Sequence, residues 1–504
     1  MKKSIISKNI NKITKKTFAG GSSHNIDYNL KKFDVIFVGG LNAANTIKYM
    51  QHTGFHGTMA GFNNKPRFYN EHHYELFVHG TIPSFKYMSS VFSSNFESKA
   101  SCYFPHRITK IDPKNNKVVD DRGIEFSYKS LVLNTGLDHS YKNMPFLEKY
   151  LKDGELGKSR VFVHNPSDDD HIERNRRIIS MHKDNDLIVY LPKLPSRREA
   201  YDAWYLKLDT YLSWGLQSGA HPKSMKIRVI TPNKNLFNFP FANEVVMDEI
   251  SQRSMIETHF GWELVNVEVV EKPNATLRYA TFKNEKGEEM RMPFGTLVLT
   301  PNNKKREIYN GNDLADEHGQ VTVNPYTLQH KKYDNVFAFG DCADVPTTKS
   351  LYATLNQQVV LRNNLTDYLH GREFSGVYEG YSSFAVNHSL DRQYVFSHKY
   401  GYEPSFGNFY SPRYLGFMTY MLKAKLEKQY FSKIYQSKPN FGYPYLQKNR
   451  YFLPLDENKY MKQKGLKKED IMIHPIRKPE LSTDHHDDHS HEHHAESHKV
   501  KPAH

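Results

Sequence analysis

The stretch YDNVFAFGDCADVPTTKSLYATLNQQ, residues Tyr333 to Gln358, decides the fold. Its apolar run from Asn335 to Phe339 has the composition of a buried strand, Gly340-Asp341 stops that strand, and a helix is predicted from Ser350. A carboxylate at such a junction can accept a hydrogen bond from a hydroxyl, and the N–H groups at the helix start can bind phosphate. The stretch therefore predicts one wall of a site for a ribityl-phosphate tail.

A second strand-turn-helix unit begins at Phe33, where FDVIFV is followed by Gly39-Gly40 and a helical pattern. This order is typical of the opening unit of a Rossmann domain, in which glycines let the backbone approach a pyrophosphate. The GxGxxG frame falls on Gly39, Leu41 and Ala44, so only its first glycine is present. Leu41 should hinder close approach of a phosphate, whereas Ala44 only changes helix–strand packing. The residues expected to contact a cofactor here are Gly39, Gly40, Asn42 and Ala43.

The carboxylate that usually binds ribose at the end of the second strand is missing. No Asp or Glu occurs between Asp34 and Glu71. Asn42 or Asn63 can supply hydrogen bonds in its place, and the backbone can still hold a dinucleotide weakly. A Rossmann unit retained for its fold alone is the other interpretation, and both stay open.

Length and charge limit the class of protein. A chain of 504 residues is too long for one core, so two or three domains are expected. No apolar run approaches the roughly 18 residues that a membrane-spanning helix needs. The net charge of +14 suits nucleic acid, an anionic membrane surface or an acidic neighbour in an assembly. Nucleic acid is not expected as a partner, because no zinc-finger, RRM or helix-turn-helix pattern accompanies the charge.

The cysteines and the two ends of the chain add further constraints. Cys102 and Cys342 form neither a disulfide framework nor a metal-site spacing, and no metal is predicted. The first 26 residues carry six lysines and no carboxylate, which predicts a mitochondrial presequence, with a disordered basic tail as the alternative. The tail from Asp484 is rich in histidine and could bind zinc or copper loosely. A disordered polar tail is the preferred interpretation there, because its ligands have no scaffold.

The segment TLQHKKYDNVFAFGDCADVPTTKS, from Thr327 to Ser350, resembles the mitochondrial-type sulfide:quinone oxidoreductases, which are flavoproteins with two dinucleotide-binding domains. The resemblance continues through a predicted hairpin around residues 113–116 and a strand from Ser130 to Asn134. That strand ends at Thr135-Gly136, where the family has an ATG-like turn beside the flavin. FAD is therefore a possible cofactor, bound at a degraded site.

The resemblance implies an α/β fold with two Rossmann-like domains, the second inserted in the first, and a C-terminal α+β membrane-associated region. A second unit begins with the strand DLIVYLP, Asp186 to Pro192, and continues with a helical pattern from Arg197 to Leu216. Its first turn contains no glycine, so NAD(P) is not expected. Phe294 to Thr300 is interpreted as the strand that returns to the first domain. The expected divisions are a presequence-like segment 1–30, a first domain 31–160 and 295–370, a second domain 161–294, a quinone and membrane platform 371–450, and an extension 451–504.

The C-terminal part is expected to contain antiparallel strands with turns at 390–392 and 399–401, then a helix from about Pro412. Aromatic and methionine residues recur at helical spacing along that helix, with lysines between them. In the family this region lies on the membrane and shelters the quinone. A helix packed on its own core is the alternative.

The family oxidises sulfide with two redox cysteines, because a thiolate must add to the flavin to pass electrons. One belongs to the loop that corresponds to Pro192 to Glu199, which has no cysteine here. The other position, in the run YEGYSSF, is occupied by Phe384, so no catalytic residue is assigned. Lys349 matches a family lysine near the flavin ring, or is a solvated lysine at a helix start.

Two functions follow from the resemblance. The first is a family member without sulfide-oxidising activity, retained as an accessory or structural subunit of a mitochondrial inner-membrane respiratory assembly and associated peripherally with the membrane. The second is an active FAD-dependent oxidoreductase that passes electrons from another donor to quinone, using Gly340, Asp341 and Lys349. A third class, an anionic-surface or RNA-binding protein that uses its positive charge, is not supported by any motif in the sequence.

Overall fold

The fold is given by a computed structural model. The residues that it describes are 29–52, 55–64, 67–69, 89–91, 101–140, 144–151, 156–163, 169–180, 186–191, 226–237, 239–252, 254, 256–299, 302–389, 392–405, 462 and 464–476. Five sequence predictions lie outside these residues. They are the basic leader, the loop from Pro192 to Glu199, the helix from Arg197 to Leu216, the helix from Pro412 and the histidine-rich tail.

The regular elements are numbered in chain order. The strands are β1 (Lys32–Gly39), β2 (Met59–Phe62), β3 (Arg67–Tyr69), β4 (Ser89–Val91), β5 (Ser101–Phe104), β6 (Ile108–Asp112), β7 (Lys117–Asp120), β8 (Glu125–Asn134), β9 (Asp138–Ser140), β10 (Val161–Val163), β11 (Asp186–Tyr190), β12 (Lys226–Thr231), β13 (Ile256–Phe260), β14 (Trp262–Lys272), β15 (Ala275–Asn284), β16 (Glu289–Pro293), β17 (Thr296–Leu299), β18 (Asn302–Lys304), β19 (Val336–Ala338), β20 (Ser382–Ser389) and β21 (Arg392–His398). The helices are α1 (Leu41–His52), α2 (Leu147–Leu151), α3 (Leu156–Ser159), α4 (Asp169–Ser180), α5 (Pro240–Ser251), α6 (Leu351–Leu369) and α7 (Lys468–Ile471).

The first domain is built on a sheet in which β5, β2, β1, β8 and β19 are parallel neighbours. Strand β1 is buried along nearly its whole length, as a parallel strand covered on both faces must be. Strand β8 begins at Glu125, earlier than predicted. Its first half alternates between buried residues and residues that are exposed or partly exposed, and it pairs with β7 of the predicted hairpin. Only its second half has a continuous run of buried residues.

The second domain contains a parallel sheet of order β10-β17-β11-β12-β13 and an antiparallel sheet of β14, β15 and β16. Strand β17 pairs with both β10 and β11, so the assignment of residues from 295 onward to the first domain is wrong at this strand. An apolar strand buried on both faces suits either parallel sheet, and its sequence does not say which one. The chain leaves the second sheet after β17, and β18 then pairs with β9.

Helix α6 begins as predicted, because Ser350 caps it and accepts a hydrogen bond from the Ala353 N–H at 3.1 Å. The predicted C-terminal hairpin is confirmed as β20 and β21, which are antiparallel. The predicted turn at 399–401 overlaps a 3-10 turn, Tyr400–Tyr402, in which Gly401 has a φ of 74°. Among the residues that the structure describes, none of the helices is long and apolar enough to cross a bilayer.

Part of the C-terminal extension packs on the first domain. Leu466 and Met472 contact the buried Val377, and the Asn324 amide donates to the carbonyl of Asp470 at 2.6 Å. Residues 464–476 are therefore part of the folded body.

Candidate functional site

The glycine turn lies at the carboxyl end of β1, where ligands of open α/β sheets bind. Gly39 has a φ of 150°, and a Cβ there would collide with the backbone carbonyl of Asn134 on β8. Helix α1 follows at Leu41, after Gly40, and its first turn presents N–H groups without intrahelical partners. The local geometry is that of a phosphate-binding turn, although the second glycine is absent.

Asn63 occupies the position of the usual ribose carboxylate. The β1–β2 register pairs Val38 with Phe62, so Asn63 follows the second strand beside Gly39. Its N–H donates to the Phe104 carbonyl at 3.2 Å, and its carbonyl accepts from the Tyr103 hydroxyl at 2.8 Å. Asn42 instead lies in the first turn of α1. The two asparagines that sequence reasoning treated as alternatives therefore have different places in the site.

Asn134 connects the glycine turn to the Gly340-Asp341 turn. Its side-chain amide donates to the Phe339 carbonyl at 3.0 Å. Gly340 has a φ of 75°, and a Cβ there would lie 2.6 Å from the Asn134 Nδ2. The asparagine that replaces the alanine of the family's ATG-like turn thus holds the Gly340-Asp341 turn against β8, and Asp341 is half-buried in that turn.

The Thr135-Gly136 turn is tied to a buried tyrosine. The Thr135 hydroxyl is 2.7 Å from the Tyr309 hydroxyl, and the Arg306 guanidinium donates to the Gly136 carbonyl at 3.3 Å. Burial raises the pKa of Tyr309 well above its ordinary value, so its hydroxyl stays protonated. This turn is brought beside the Gly340-Asp341 turn, as the resemblance implies.

Lys349 is buried rather than solvated. It is 8% exposed, and its ammonium donates to the carbonyls of Ala343 and Val345, the second at 3.3 Å. The alternative of a solvated lysine at a helix start is therefore wrong, because carbonyl acceptors compensate for its burial. Its contact with a flavin ring stays a prediction.

Two adjacent glutamines of α6 were missed by sequence reasoning. Gln357 accepts from the Gly340 N–H at 2.7 Å. Gln358 donates to the Asn42 carbonyl at 3.3 Å and to the Thr46 hydroxyl at 3.0 Å. Successive helical residues point about 100° apart, so each amide holds a different wall of the site. Two consecutive amides within a helix that the sequence predicts from Ser350 were the signal available in the sequence.

Among the buried side-chain atoms of the described residues that have no hydrogen-bond partner, two acceptors lie at this site, Asn42 Oδ1 and Gln358 Oε1. Buried polar atoms are nearly always paired in folded proteins, so an ordered water or a ligand donor is expected at these two atoms. The hydroxyl groups of a ribose or ribityl chain are such donors. The residues present therefore fit FAD, which would supply a two-electron acceptor when bound.

Phe384, which the resemblance aligns with a family cysteine, is part of a hydrophobic core. Phe384 on β20 is 1% exposed, and its ring centroid lies 6.0 Å from that of Phe237 and 5.5 Å from that of Phe396. Its side chain attaches the C-terminal hairpin to the second domain. The structure shows that this side chain serves packing, and its alignment with a family cysteine stays a prediction.

The two cysteines are buried and far apart. Cys102 lies on β5, three strands away from β8, while the Cys342 thiol contacts the Leu133 carbonyl of β8 at 3.5 Å. Three strand spacings are roughly 14 Å, about twice the largest Cα separation that a disulfide spans. Burial raises the pKa of the Cys342 thiol, which disfavours the thiolate.

One cluster of metal-ligating groups occurs in the described residues: His106, Asp120 and Asp121. Asp120 binds the Arg122 guanidinium at 2.6 Å, and its other oxygen accepts from the N–H groups of Arg122 and Ile124, both at 2.9 Å. The cluster stabilises the turn after β7.

Comparison with known proteins supports the fold and the resemblance. No protein-family model matches the chain. Over 60% of its length it is 25% identical to the mitochondrial sulfide:quinone oxidoreductase of Schizosaccharomyces pombe, and over 61% it is 27% identical to that of Dictyostelium discoideum. These matches span 64% and 65% of the two relatives, slightly less than two thirds of their length.

Two solved structures share the fold over most of the chain. One is a chain of the Tetrahymena thermophila mitochondrial ATP synthase, 22% identical with a TM-score of 0.69, and the match covers 82% of this chain and 98% of that one. The other is the Aquifex aeolicus sulfide:quinone oxidoreductase, 14% identical with a TM-score of 0.64, covering 84% and 95%. The resemblance found in the sequence is confirmed: the chain is similar to the mitochondrial sulfide:quinone oxidoreductases and has their α/β fold.

Proposed function

We propose that this chain is a sulfide:quinone oxidoreductase-like subunit of a mitochondrial inner-membrane assembly that does not itself oxidise sulfide. The packing of Phe384 carries the proposal, because a buried core phenylalanine stands at the position where the family has a redox cysteine. Replacing a thiol by this ring removes the sulfur carrier and strengthens the attachment of the C-terminal hairpin to the second domain.

The remaining thiols cannot replace the missing pair. A two-cysteine relay needs a thiolate and a second thiol within disulfide distance. Cys102 and Cys342 are the only cysteines of the chain, and three strand spacings of the first sheet separate β5, which carries Cys102, from β8, which Cys342 contacts. The chain therefore lacks the groups for sulfide oxidation by that route.

A structural role in a large assembly is supported by the similarity to the Tetrahymena chain, which is matched over 98% of its length. The net charge of +14 suits contact with an acidic subunit surface or an anionic membrane. We propose that the partners are subunits of an assembly of the ATP synthase kind and the inner-membrane surface, with peripheral association.

The second candidate is an active flavin oxidoreductase that passes electrons to quinone from a donor other than sulfide. The unpaired buried acceptors Asn42 Oδ1 and Gln358 Oε1 favour it, because they fit a bound dinucleotide. Bound flavin alone does not separate the two candidates, since a structural subunit can retain its cofactor. Reduction of that flavin by a physiological donor, followed by reoxidation by quinone, would favour the second.

The test uses the tagged chain isolated from mitochondria under mild detergent. We expect it to migrate with a large inner-membrane complex, and to show no sulfide-dependent quinone reduction above a no-enzyme blank. The Schizosaccharomyces pombe relative, assayed in parallel, provides the positive control. Migration as a free monomer or dimer would refute the subunit role, and sulfide-dependent turnover at the control's rate would refute the lost activity.

A further inference from the structure

We propose that His474 and the histidine-rich tail that follows it bind a zinc ion, which holds the tail against the first domain. His474 lies on the segment 464–476 that packs on this domain, and its ring supplies a fixed ligand. Imidazoles of the tail, residues 484–498, supply the other ligands. This zinc site uses none of the residues assigned to the dinucleotide site and is independent of the proposed function.

The segment that carries His474 is attached to the first domain just before this residue. The Asn324 amide donates to the carbonyl of Asp470 at 2.6 Å. Two residues further on, the Met472 side chain packs against the buried Val377. The backbone that bears His474 is therefore held in place by a hydrogen bond and an apolar contact.

His330 determines which ring nitrogen of His474 is free. The His474 Nε2 atom lies 2.9 Å from the backbone carbonyl oxygen of His330. A carbonyl oxygen can only accept, so Nε2 carries the ring proton, and Nδ1 of the neutral imidazole keeps its lone pair. Within the part of the chain that the structure describes, Nδ1 has no hydrogen-bond partner, and it is open to solvent. Metal-binding histidines usually donate their second ring N–H to a carbonyl or a carboxylate, so Nδ1 is already oriented as a ligand.

The carbonyl that orients His474 is itself fixed. His330 is fully buried, and its own N–H donates to the Val336 carbonyl at 2.8 Å. Its Nδ1 accepts from the N–H groups of Lys332 at 3.0 Å and Tyr333 at 3.1 Å. The position of the His474 ring thus depends on a residue with several hydrogen bonds of its own.

The tail has the composition that a zinc site needs. Seven histidines and five carboxylates lie between Asp484 and His498, and no lysine or arginine does. Zinc in proteins takes about four ligands, chiefly imidazole nitrogen, thiolate sulfur and carboxylate oxygen. Ten residues separate His474 from His485, a length of chain that spans up to about 35 Å, so the tail can return to His474. His474 supplies the scaffold that the tail lacks by itself, and it raises the effective concentration of the tail ligands.

The charges around His330 also favour a returning tail. Lys331 and Lys332 follow His330 directly, and both are exposed. The acidic tail is attracted to these cations, and its carboxylates also offset the charge of the zinc ion.

The first test measures zinc affinity in the purified full chain at pH 7.5, by competition with a chromogenic zinc chelator. His474→Gln keeps an amide N–H for the His330 carbonyl but removes the free ring nitrogen. We expect the strongest zinc site to weaken at least about 10-fold, the factor that loss of even an outer-shell partner costs. A chain shortened to end at Thr483 should lose that site. His318→Gln is the matched control, since His318 is an exposed histidine outside the site, and it should leave zinc affinity unchanged.

The second test follows hydrogen exchange of residues 464–476 by mass spectrometry. Zinc should slow this exchange in the wild-type chain, because coordination of His474 holds the segment more firmly. It should have no such effect in His474→Gln or in the shortened chain. If His474→Gln exchanges faster than wild type before zinc is added, the segment has been disturbed, and the shortened chain then decides the outcome.

Unchanged zinc affinity in an undisturbed His474→Gln would overturn the proposal, because the tail would then bind zinc without the fixed ligand. Unchanged affinity in the shortened chain would also overturn it and would point to another cluster, such as His106, Asp120 and Asp121. A wild-type chain that binds no zinc would do the same. None of these results affects migration with the complex or sulfide turnover, so the subunit proposal is tested separately.

Discussion

A Cβ added at Gly340 would lie only 2.6 Å from the side-chain amide nitrogen of Asn134, so Asn134 leaves no room for a side chain there. The two residues are more than 200 positions apart in the sequence, and the parallel pairing of β8 with β19 brings them together. Asn134 also blocks a side chain at Gly39, so one asparagine holds both glycine turns of the candidate site.

Gly340→Ala is expected to lower the free energy of unfolding by about 3 kcal/mol, from the left-handed φ and the collision with Asn134. Asn134→Ala alone should lower it by about 1 kcal/mol through the lost bond to the Phe339 carbonyl. The double variant should be less destabilised than the sum, because the collision is relieved while the strain remains. Urea unfolding of the four proteins measures the coupling, and strict additivity would contradict the contact.

Phe384→Ala should lower the free energy of unfolding by about 3–5 kcal/mol, because it leaves a cavity between the C-terminal hairpin and the second domain. Phe384→Leu, which changes the volume less, is the control and should cost clearly less. Phe384→Cys should not create sulfide-dependent quinone reduction, since both native thiols are buried and burial raises the pKa of the Cys342 thiol, which disfavours the thiolate that a relay needs. Sulfide-dependent quinone reduction by that single variant would contradict the inference that this chain lacks a working two-cysteine relay.

Both cysteines should be present as slowly reacting free thiols. Cys102 is 6% exposed and Cys342 is fully buried. Titration with a thiol reagent should show almost no fast reaction in the native protein, and two thiols per chain after denaturation without reductant. Finding no thiols in the denatured, unreduced protein would contradict the separation of the two residues.

Stability is expected to fall as the pH is lowered from about 6.5 to about 4. Burial lowers the pKa of both His330 and His398 to about 4, so these imidazoles stay neutral in the folded protein. The unfolded chain binds protons on them below pH 6.5, and stability present above that pH is lost as the pH falls. Each histidine contributes up to about 3 kcal/mol to the loss.

Chemical denaturation at several pH values checks this prediction. His398→Asn should remove about half of the two-histidine contribution to the slope between pH 4.5 and 6. It should also lower stability at pH 7.5, because the bond to the Thr348 hydroxyl at 2.7 Å is lost. A wild-type unfolding free energy that is flat across this range would refute the role of the two imidazoles.

The sequence by itself determined the local units of this protein. The Gly340-Asp341 junction, the cap at Ser350, the hairpin before β8 and the C-terminal hairpin were predictable, because strand periodicity, glycine turns and helix caps are short-range patterns. The sequence also predicted which groups of the family site are absent, namely the glycine at the position of Leu41, the ribose carboxylate and the redox cysteines, and the correspondence of these positions stays a prediction. Absences of this kind need no coordinates.

Only the tertiary structure decided which of these units meet. It placed β17 in the second sheet and separated the places of Asn42 and Asn63. It also buried Lys349 and Phe384 and gave Gln357 and Gln358 different partners, the Gly340 turn and helix α1. These outcomes depend on contacts between residues far apart in the chain, and a local pattern is compatible with several of them. The role of each buried side chain then follows from its neighbours: Phe384 packs in a hydrophobic core, Lys349 donates to backbone carbonyls, and Gln358 retains an unpaired acceptor.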